Sequence, residues 1–258
     1  MRHRERPAQR RIYVGGLAFR VLASPRAAES RGAADAAGPA IVLVHGIGVS
    51  HRYLSRLHDE LARTRSVYSV DLPGFGGLPK PGLDLDVPAM AAGLATVIEW
   101  LGVGPVVLVG HSMGSQWVVE LGAQRPELVV HVVAMGPVAD TRHRTVVAQS
   151  VALAVDTLGE TPEINALVFT DYLRCGPFWY LTQLRHMLGY RLEDRVSSLR
   201  SPLLVIRGGR DPIAGLEWCR LLRDRAARGA LALIPGRHHV AQQSAPRAVA
   251  AAILAHVP

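Results

Sequence analysis

The sequence predicts an α/β protein, with a mostly parallel central sheet of about eight strands, helices on its faces and a helical insertion at 137–200. Three observations carry this expectation. Continuous apolar runs such as Ile41-Val42-Leu43-Val44 mark strands buried on both faces, as in parallel sheets. Segments of helical period alternate with those runs, the order from which parallel crossovers are built. A chain of 258 residues is long enough for one large core with an insertion and short for two full domains.

In chain order, residues 1–10 are a basic tail expected to be disordered. Arg11 to Val21 reads as two short strands about Gly15-Gly16, with Ile12, Val14, Leu17, Phe19 and Val21 supplying the alternation of a hairpin. Ser24 to Pro39, rich in alanine, glycine and charge, is a loop. Ile41 to Val44 is a buried strand ended by His45-Gly46-Ile47-Gly48. Tyr53, Leu54, Leu57 and Leu61 fall at helical spacing and place a helix over Arg52 to Thr64. Ser66 to Val70 returns to strand, and Asp71-Leu72-Pro73-Gly74-Phe75-Gly76-Gly77 is too rich in turn formers for a helix. A helix over Val87 to Leu101 leads to a strand at Val106 to Val109, and another helix runs from Ser115 to Ala123. Leu128 to Met135, Leu203 to Ile206 and Ala230 to Ile234 complete the strands, with a helix over Leu216 to Ala227. Between Pro137 and Arg200 the rhythm breaks into helical patterns, Val146 to Leu158 and Phe178 to Leu188. The expected core is therefore 11–136 with 201–258, and 137–200 is a lid.

Composition excludes several classes. Nearly half the residues are hydrophobic (49%) and the formal charge is +8, almost all of it from arginine, since Lys80 is the only lysine. The arginines are scattered, the pattern of a solvated surface and not of a nucleic-acid-binding stripe. No run approaches the roughly 18 apolar residues of a membrane-spanning helix, and no apolar segment follows the charges of the amino-terminal tail as a secretory signal requires. Cys175 and Cys219 neither pair by motif nor sit near histidines at metal-ligand spacing. The expectation is a cytoplasmic protein with a small-molecule substrate, no cofactor and no bound metal.

The chemistry centres on Gly110-His111-Ser112-Met113-Gly114, which follows the apolar run Pro105 to Val109 and opens a helix. Flanking glycines let the backbone turn sharply enough to project a serine between them. A serine hydroxyl needs a base, and imidazole is suited to the task. Of eleven histidines, His111 adjoins the serine but points elsewhere and His45 ends a buried strand. His238 and His239, beyond the last strand at Pro235-Gly236, stand where chemistry gathers in an open parallel sheet, outside the carboxyl ends of its strands. An orienting carboxylate is required in turn. Asp211 follows its own strand through Arg207-Gly208-Gly209-Arg210, and Asp140, after Leu128 to Met135, is the second candidate. Met113 and Ile47 are placed to offer backbone N–H donors to a developing oxyanion, each worth about 3 to 4 kcal/mol.

Taken together, His45-Gly46-Ile47-Gly48, Asp71-Leu72-Pro73-Gly74-Phe75-Gly76, Gly110-His111-Ser112-Met113-Gly114, Gly208-Gly209-Arg210-Asp211 and Pro235-Gly236-Arg237-His238-His239 resemble, in order, the motifs of the α/β-hydrolase family from about Arg11 to Val257. The resemblance implies Ser112 as nucleophile, Asp211 as acid and His239 as base, an oxyanion hole of Ile47 and Met113, and a cap formed by the insertion. Two departures stand out. His238 occupies the place of a glycine that usually precedes the catalytic histidine, and Ser244 replaces the glutamate of a glutamate-x-proline segment; counting back from Pro246 singles out His239.

A serine nucleophile sets the chain apart from similar epoxide hydrolases and haloalkane dehalogenases, which use aspartate. The resemblance implies a carboxylesterase, with carbon-carbon bond hydrolysis of ring-cleavage products, lactone or thioester hydrolysis, and a slow-turnover ligand receptor as the alternatives. His45, Gly46, His111, Trp117, Phe178 and Trp179 are the candidates for a substrate pocket, with Tyr53 near the first turn and Phe169, Tyr180, Met187 and Leu188 of the insertion beside them. Aromatic residues at helical spacing more commonly serve packing.

Overall fold

The computed structural model describes residues 7–25, 38–142 and 144–258. The expected tail therefore lies partly outside the described residues, and Ala8 to Arg10, which it was to include, are already paired in the first strand. Most of the loop expected between Ser24 and Pro39 also lies outside the described residues.

In chain order the elements are β1 (Ala8–Val14), β2 (Leu17–Ser24), β3 (Ile41–Val44), α1 (Ser55–Leu61), β4 (Val67–Asp71), α2 (Val87–Leu101), β5 (Val106–His111), α3 (Gly114–Gln124) and β6 (Val129–Met135). Four helices follow, α4 (Val146–Gly159), α5 (Pro162–Cys175), α6 (Pro177–Gly189) and α7 (Leu192–Arg195). Then come β7 (Leu203–Gly208), α8 (Leu216–Arg225), β8 (Gly229–Ile234), α9 (Ala241–Ser244) and α10 (Pro246–Leu254).

The strands form one 8-stranded sheet in the order β1-β2-β4-β3-β5-β6-β7-β8. The β1–β2 hairpin joins β4 antiparallel, and every pairing from β4 to β8 is parallel. Period-two alternation divides the core between the two faces. Val42, Val44, Leu108, Val132 and Val205 pack with Leu94 of α2, Trp117 of α3 and Leu222 of α8. Their neighbours Ile41, Leu43, Val109, Val133 and Leu204 pack with Leu57 of α1 and Ile253 of α10 on the other face. Each such fully buried side chain contributes about 1.5 to 3 kcal/mol.

Helix ends follow local chemistry. The Asp86 side chain accepts the Ala89 N–H at the start of α2, and Gly102 ends it at φ 64°. Thr145 and Thr161 cap α4 and α5 in the same way, a contribution of about 1 kcal/mol each. Helix α4 is turned unusually. Gln149 and Asp156 are buried, whereas Val147, Val151, Val155 and Leu158 face solvent. Among the described residues no helix is long and apolar enough to cross a membrane.

Candidate active site

Four loops at the carboxyl edge of the sheet, after β3, β5, β7 and β8, converge on one cavity. Ser112 sits directly after β5 at φ 57°, a left-handed conformation that costs a non-glycine residue about 1 to 2 kcal/mol. Surrounding bonds hold it there. The Ser112 N–H donates to Met135 O at 2.9 Å, and the buried Ser115 hydroxyl lies 3.1 Å from Gly110 O and 3.3 Å from Met135 O. The two glycines of the motif are steric necessities. A Cβ at Gly110 would strike the Gly114 carbonyl, and one at Gly114 would stand 2.6 Å from the carbonyl oxygens of Val44 and His45.

Asp211 is fixed by its loop. Its Oδ1 accepts the N–H groups of Ile213 at 2.8 Å and Ala214 at 3.0 Å. Arg207, at the end of β7, donates to the carbonyls of Gly209, Asp211 and Ala214 and staples the turn from below. Asp211 Oδ2 accepts from His239 Nδ1 at 2.9 Å. Burial opposes the charged carboxylate, but the His239 ring and the two N–H donors outweigh it and hold its pKa below the ordinary value. Burial likewise opposes a charged His239, and there the Asp211 carboxylate, with Asp156 and Glu160 behind it, prevails and raises the imidazole pKa above 6.5. Asp211 thus orients the ring and favours its charged form, the form a base takes on when it accepts a proton.

Ser112, His239, Gly46 and Ile47 line one cavity of about 110 Å³. Among the described residues the Ser112 hydroxyl makes no hydrogen bond to His239, a contact that is commonly long in free enzymes and tightens with substrate. The backbone N–H groups of Ile47 and Met113 likewise have no protein acceptor among the described residues.

The two histidines beyond β8 part ways. His239 meets Asp211, whereas the His238 ring turns toward α4, its Nδ1 standing 4.0 Å from Asp156 Oδ1 and without a hydrogen-bond partner among the described residues. Asp140 is also separate from the pair: its Oδ1 accepts the Arg142 N–H at 2.9 Å, and it lines a different groove with Trp218 and Arg220.

Of the residues expected to line a pocket, Gly46, Tyr53, Tyr180 and Met187 lie on the described lining of this cavity. His45 is wholly buried and acts as a staple between loops: its Nε2 accepts the Leu72 N–H at 3.1 Å, its Nδ1 lies 2.7 Å from Gly46 O, and its ring abuts Phe75 and Trp117. Trp117 is core, on the side of the sheet shared with Leu108. His111 is neutral, because burial and the neighbouring His239 ring lower its pKa to about 3. It takes the Tyr53 hydroxyl on Nδ1 and donates from Nε2 to His239 O at 2.9 Å. Trp179 packs on Phe75, and Phe178, 87% exposed, borders a surface groove with Lys80 and Arg185. His45, His111 and Trp117, the rings close in sequence to the site loops, are buried and satisfy the packing under those loops.

The walls come instead from the helices between β6 and β7. Leu153, Ile164, Val168, Tyr172, Leu184 and Met187 form the apolar side. Asp156 and Glu160 are the only carboxylates on the described lining, and it contains no lysine or arginine. Met187 is among the expected positions, whereas the α4 residues are not, since the apolar stripe of that helix faces outward. Asp156 did carry one signal, as the single charged residue of that helix.

Comparison with known proteins agrees with the geometry. Residues 41–252 match the alpha/beta hydrolase family. An uncharacterized protein of Mycobacterium bovis and Mycobacterium tuberculosis is 38% identical over 92 residues, 36% of this chain and 27% of the relative, so the match spans about a quarter of that protein's length. The (E)-2-((N-methylformamido)methylene)succinate hydrolase of Acinetobacter baylyi is 25% identical over 82% of this chain and 88% of its own. Among solved structures, the enol-lactonase from Burkholderia xenovorans superposes with a TM-score of 0.80 at 17% identity, covering 95% of this chain and 98% of that one, a likeness of fold. With the family matched over most of its length, this chain belongs to the alpha/beta hydrolase family.

Proposed function

We propose that the protein is a serine hydrolase that cleaves carboxylic esters of small, uncharged acyl groups through an acyl-enzyme on Ser112. The observation that carries the reading is the 2.9 Å bond between His239 Nδ1 and Asp211, made by a histidine that lines the same cavity as a serine held at φ 57°. In this reading Ser112 Oγ attacks the ester carbonyl while His239 Nε2 takes its proton, and Asp211 stabilises the imidazolium. The tetrahedral oxyanion is met by the N–H groups of Ile47 and Met113. Collapse expels the alcohol with the proton from His239, and water repeats the cycle on the acyl-enzyme.

Helices α4 to α7 serve as the cap, because α4, α5 and α6 supply the apolar walls. The charge of the lining chooses among substrates. In a chain of formal charge +8, the described lining carries Asp156 and Glu160 and no cation. Anionic acyl groups meet like charge there, which costs several kcal/mol where water is excluded. This disfavours carboxylate-bearing products of ring cleavage and leaves neutral esters, lactones and thioesters. Cys175 and Cys219 are buried free thiols, which supports a reducing cytoplasm.

The test is Ser112→Ala with short p-nitrophenyl esters. Hydrolysis is expected to vanish while circular dichroism is unchanged, and full activity in that variant would overturn the assignment.

A further inference from the structure

The base is gripped from two sides. On the core side, His111 at the end of β5 donates from Nε2 to the His239 carbonyl at 2.9 Å, and because a carbonyl only accepts, that bond sets the tautomer and leaves Nδ1 to accept from the Tyr53 hydroxyl. On the opposite side the His239 backbone N–H donates to Asp156 Oδ1 at 2.8 Å, and the next N–H, of Val240, donates to Glu160 Oε1 at 3.2 Å. Asp156 belongs to α4, which is remote in sequence from the loop it holds. It is 3% exposed and the only charge in its helix. Gly159 lets the helix end approach, since a Cβ there would run into the His238 ring.

We infer that Asp156 is a positioning residue for His239, through which the helix that covers the pocket becomes part of the catalytic apparatus. The inference rests on the hydrolase reading above. A carboxylate is costly to bury without partners, and this one is spent on the backbone of the residue proposed to move the proton. Its hydrogen bond sets where the imidazole stands, and its charge acts on the ring itself. The charged and titratable groups that face His239 are Asp211 from the loop after β7, His111 from β5, Asp156 from α4 and Glu160 just beyond its end, with His238 adjacent in the chain. Burial opposes ionisation of His239, while Asp211, then Asp156, then Glu160 favour its charged form. Seating or lifting α4 therefore alters both the aim of the base and its proton affinity.

The experiment uses the whole chain with two substitutions. Asp156→Ala removes acceptor and charge, whereas Asp156→Asn keeps an oxygen for the His239 N–H and removes only the charge. With p-nitrophenyl butyrate, Asp156→Ala is expected to lower kcat at least about tenfold with KM within about threefold, and Asp156→Asn is expected to recover most of that loss. Independently of turnover, the His239 ring is titrated by NMR in the Ser112→Ala background. Adding Asp156→Asn is expected to move its midpoint down by roughly half a unit or more, since an anion that favoured the imidazolium has gone. An unmoved ring midpoint, or an Asp156→Ala variant that changes KM alone, would overturn the inference. Persistent hydrolysis by Ser112→Ala would instead sink the hydrolase reading, and the ring titration would still decide the role of Asp156.

Discussion

Gly136, the residue after β6, lies beneath the histidine and the acid and makes a clean probe of both. It adopts φ 52°, and a Cβ built on it would stand 2.9 Å from Cε1 and Nδ1 of His239 and 3.3 Å from Asp211 Oδ2. Carbon contacts relax at about 3.5 to 4 Å, so Gly136→Ala forces the imidazole back by roughly 0.6 Å. Misplacement of a catalytic group by about 1 Å costs on the order of a hundredfold. The expected result is therefore a kcat about 10- to 100-fold lower, with KM within about threefold. The alanine also adopts a left-handed conformation at a cost of about 1 to 2 kcal/mol, and in a chain of this size each kcal/mol lowers Tm by about 2 to 4 °C. Gly77→Ala separates the two effects, because Gly77 has φ 78° with nothing near its missing side chain; it should lose comparable stability and keep its kcat. Initial rates with p-nitrophenyl butyrate and thermal melts of both variants give the answer. A Gly136→Ala enzyme with kcat within about twofold of the parent would refute the placement of His239 and Asp211.

Asp211→Asn is expected to lower kcat roughly a thousandfold or more, and Asp140→Asn to leave it within about threefold, since Asp211 bonds the His239 ring whereas Asp140 Oδ1 accepts from Arg142 in its own loop. The sign of the pH effect follows from the same contact. The base acts when neutral and its pKa lies above 6.5, so activity falls as pH drops through that raised value, and removing the Asp211 charge moves the acid limb to lower pH. A pair of p-nitrophenyl esters matched in length, a butyrate and a succinate monoester, should differ at least about tenfold in kcat/KM in favour of the neutral one. Glu160→Gln should narrow the gap, and equal rates on both esters would refute the charge argument.

Much of the architecture was legible because buried parallel strands cannot be written any other way: Ile41–Val44 is predicted and found with the same bounds, and so is helix α2 between Asp86 and Gly102. The serine turn, Asp211 and His239 were legible because sharp turns need glycine and because each follows a readable strand. Helix α5 was not expected, although Thr161 and Pro162 are a sound helix start, because its polar and apolar positions are mixed where Asp171 is buried against Ser50 and Arg52. Helix α10 was missed for the opposite reason, since its alanine-rich run offers little periodic contrast. The pocket was the least legible part. Met187 and Tyr180 are named by their chemistry and found at the cavity, but the apolar stripe of α4 points outward, so hydrophobicity named Phe178 while the fold placed Leu153 and Asp156 there.

Capture of the covalent intermediate tests the central claim most directly. The enzyme is mixed with a p-nitrophenyl ester, quenched in acid within the first turnovers and digested, and the acylated peptide is sequenced by mass spectrometry. The account predicts the acyl group on Ser112, released with time in the native enzyme and absent in Ser112→Ala. Steady turnover with the acyl group on another residue, or with no acyl-enzyme even when deacylation is slowed, would contradict it.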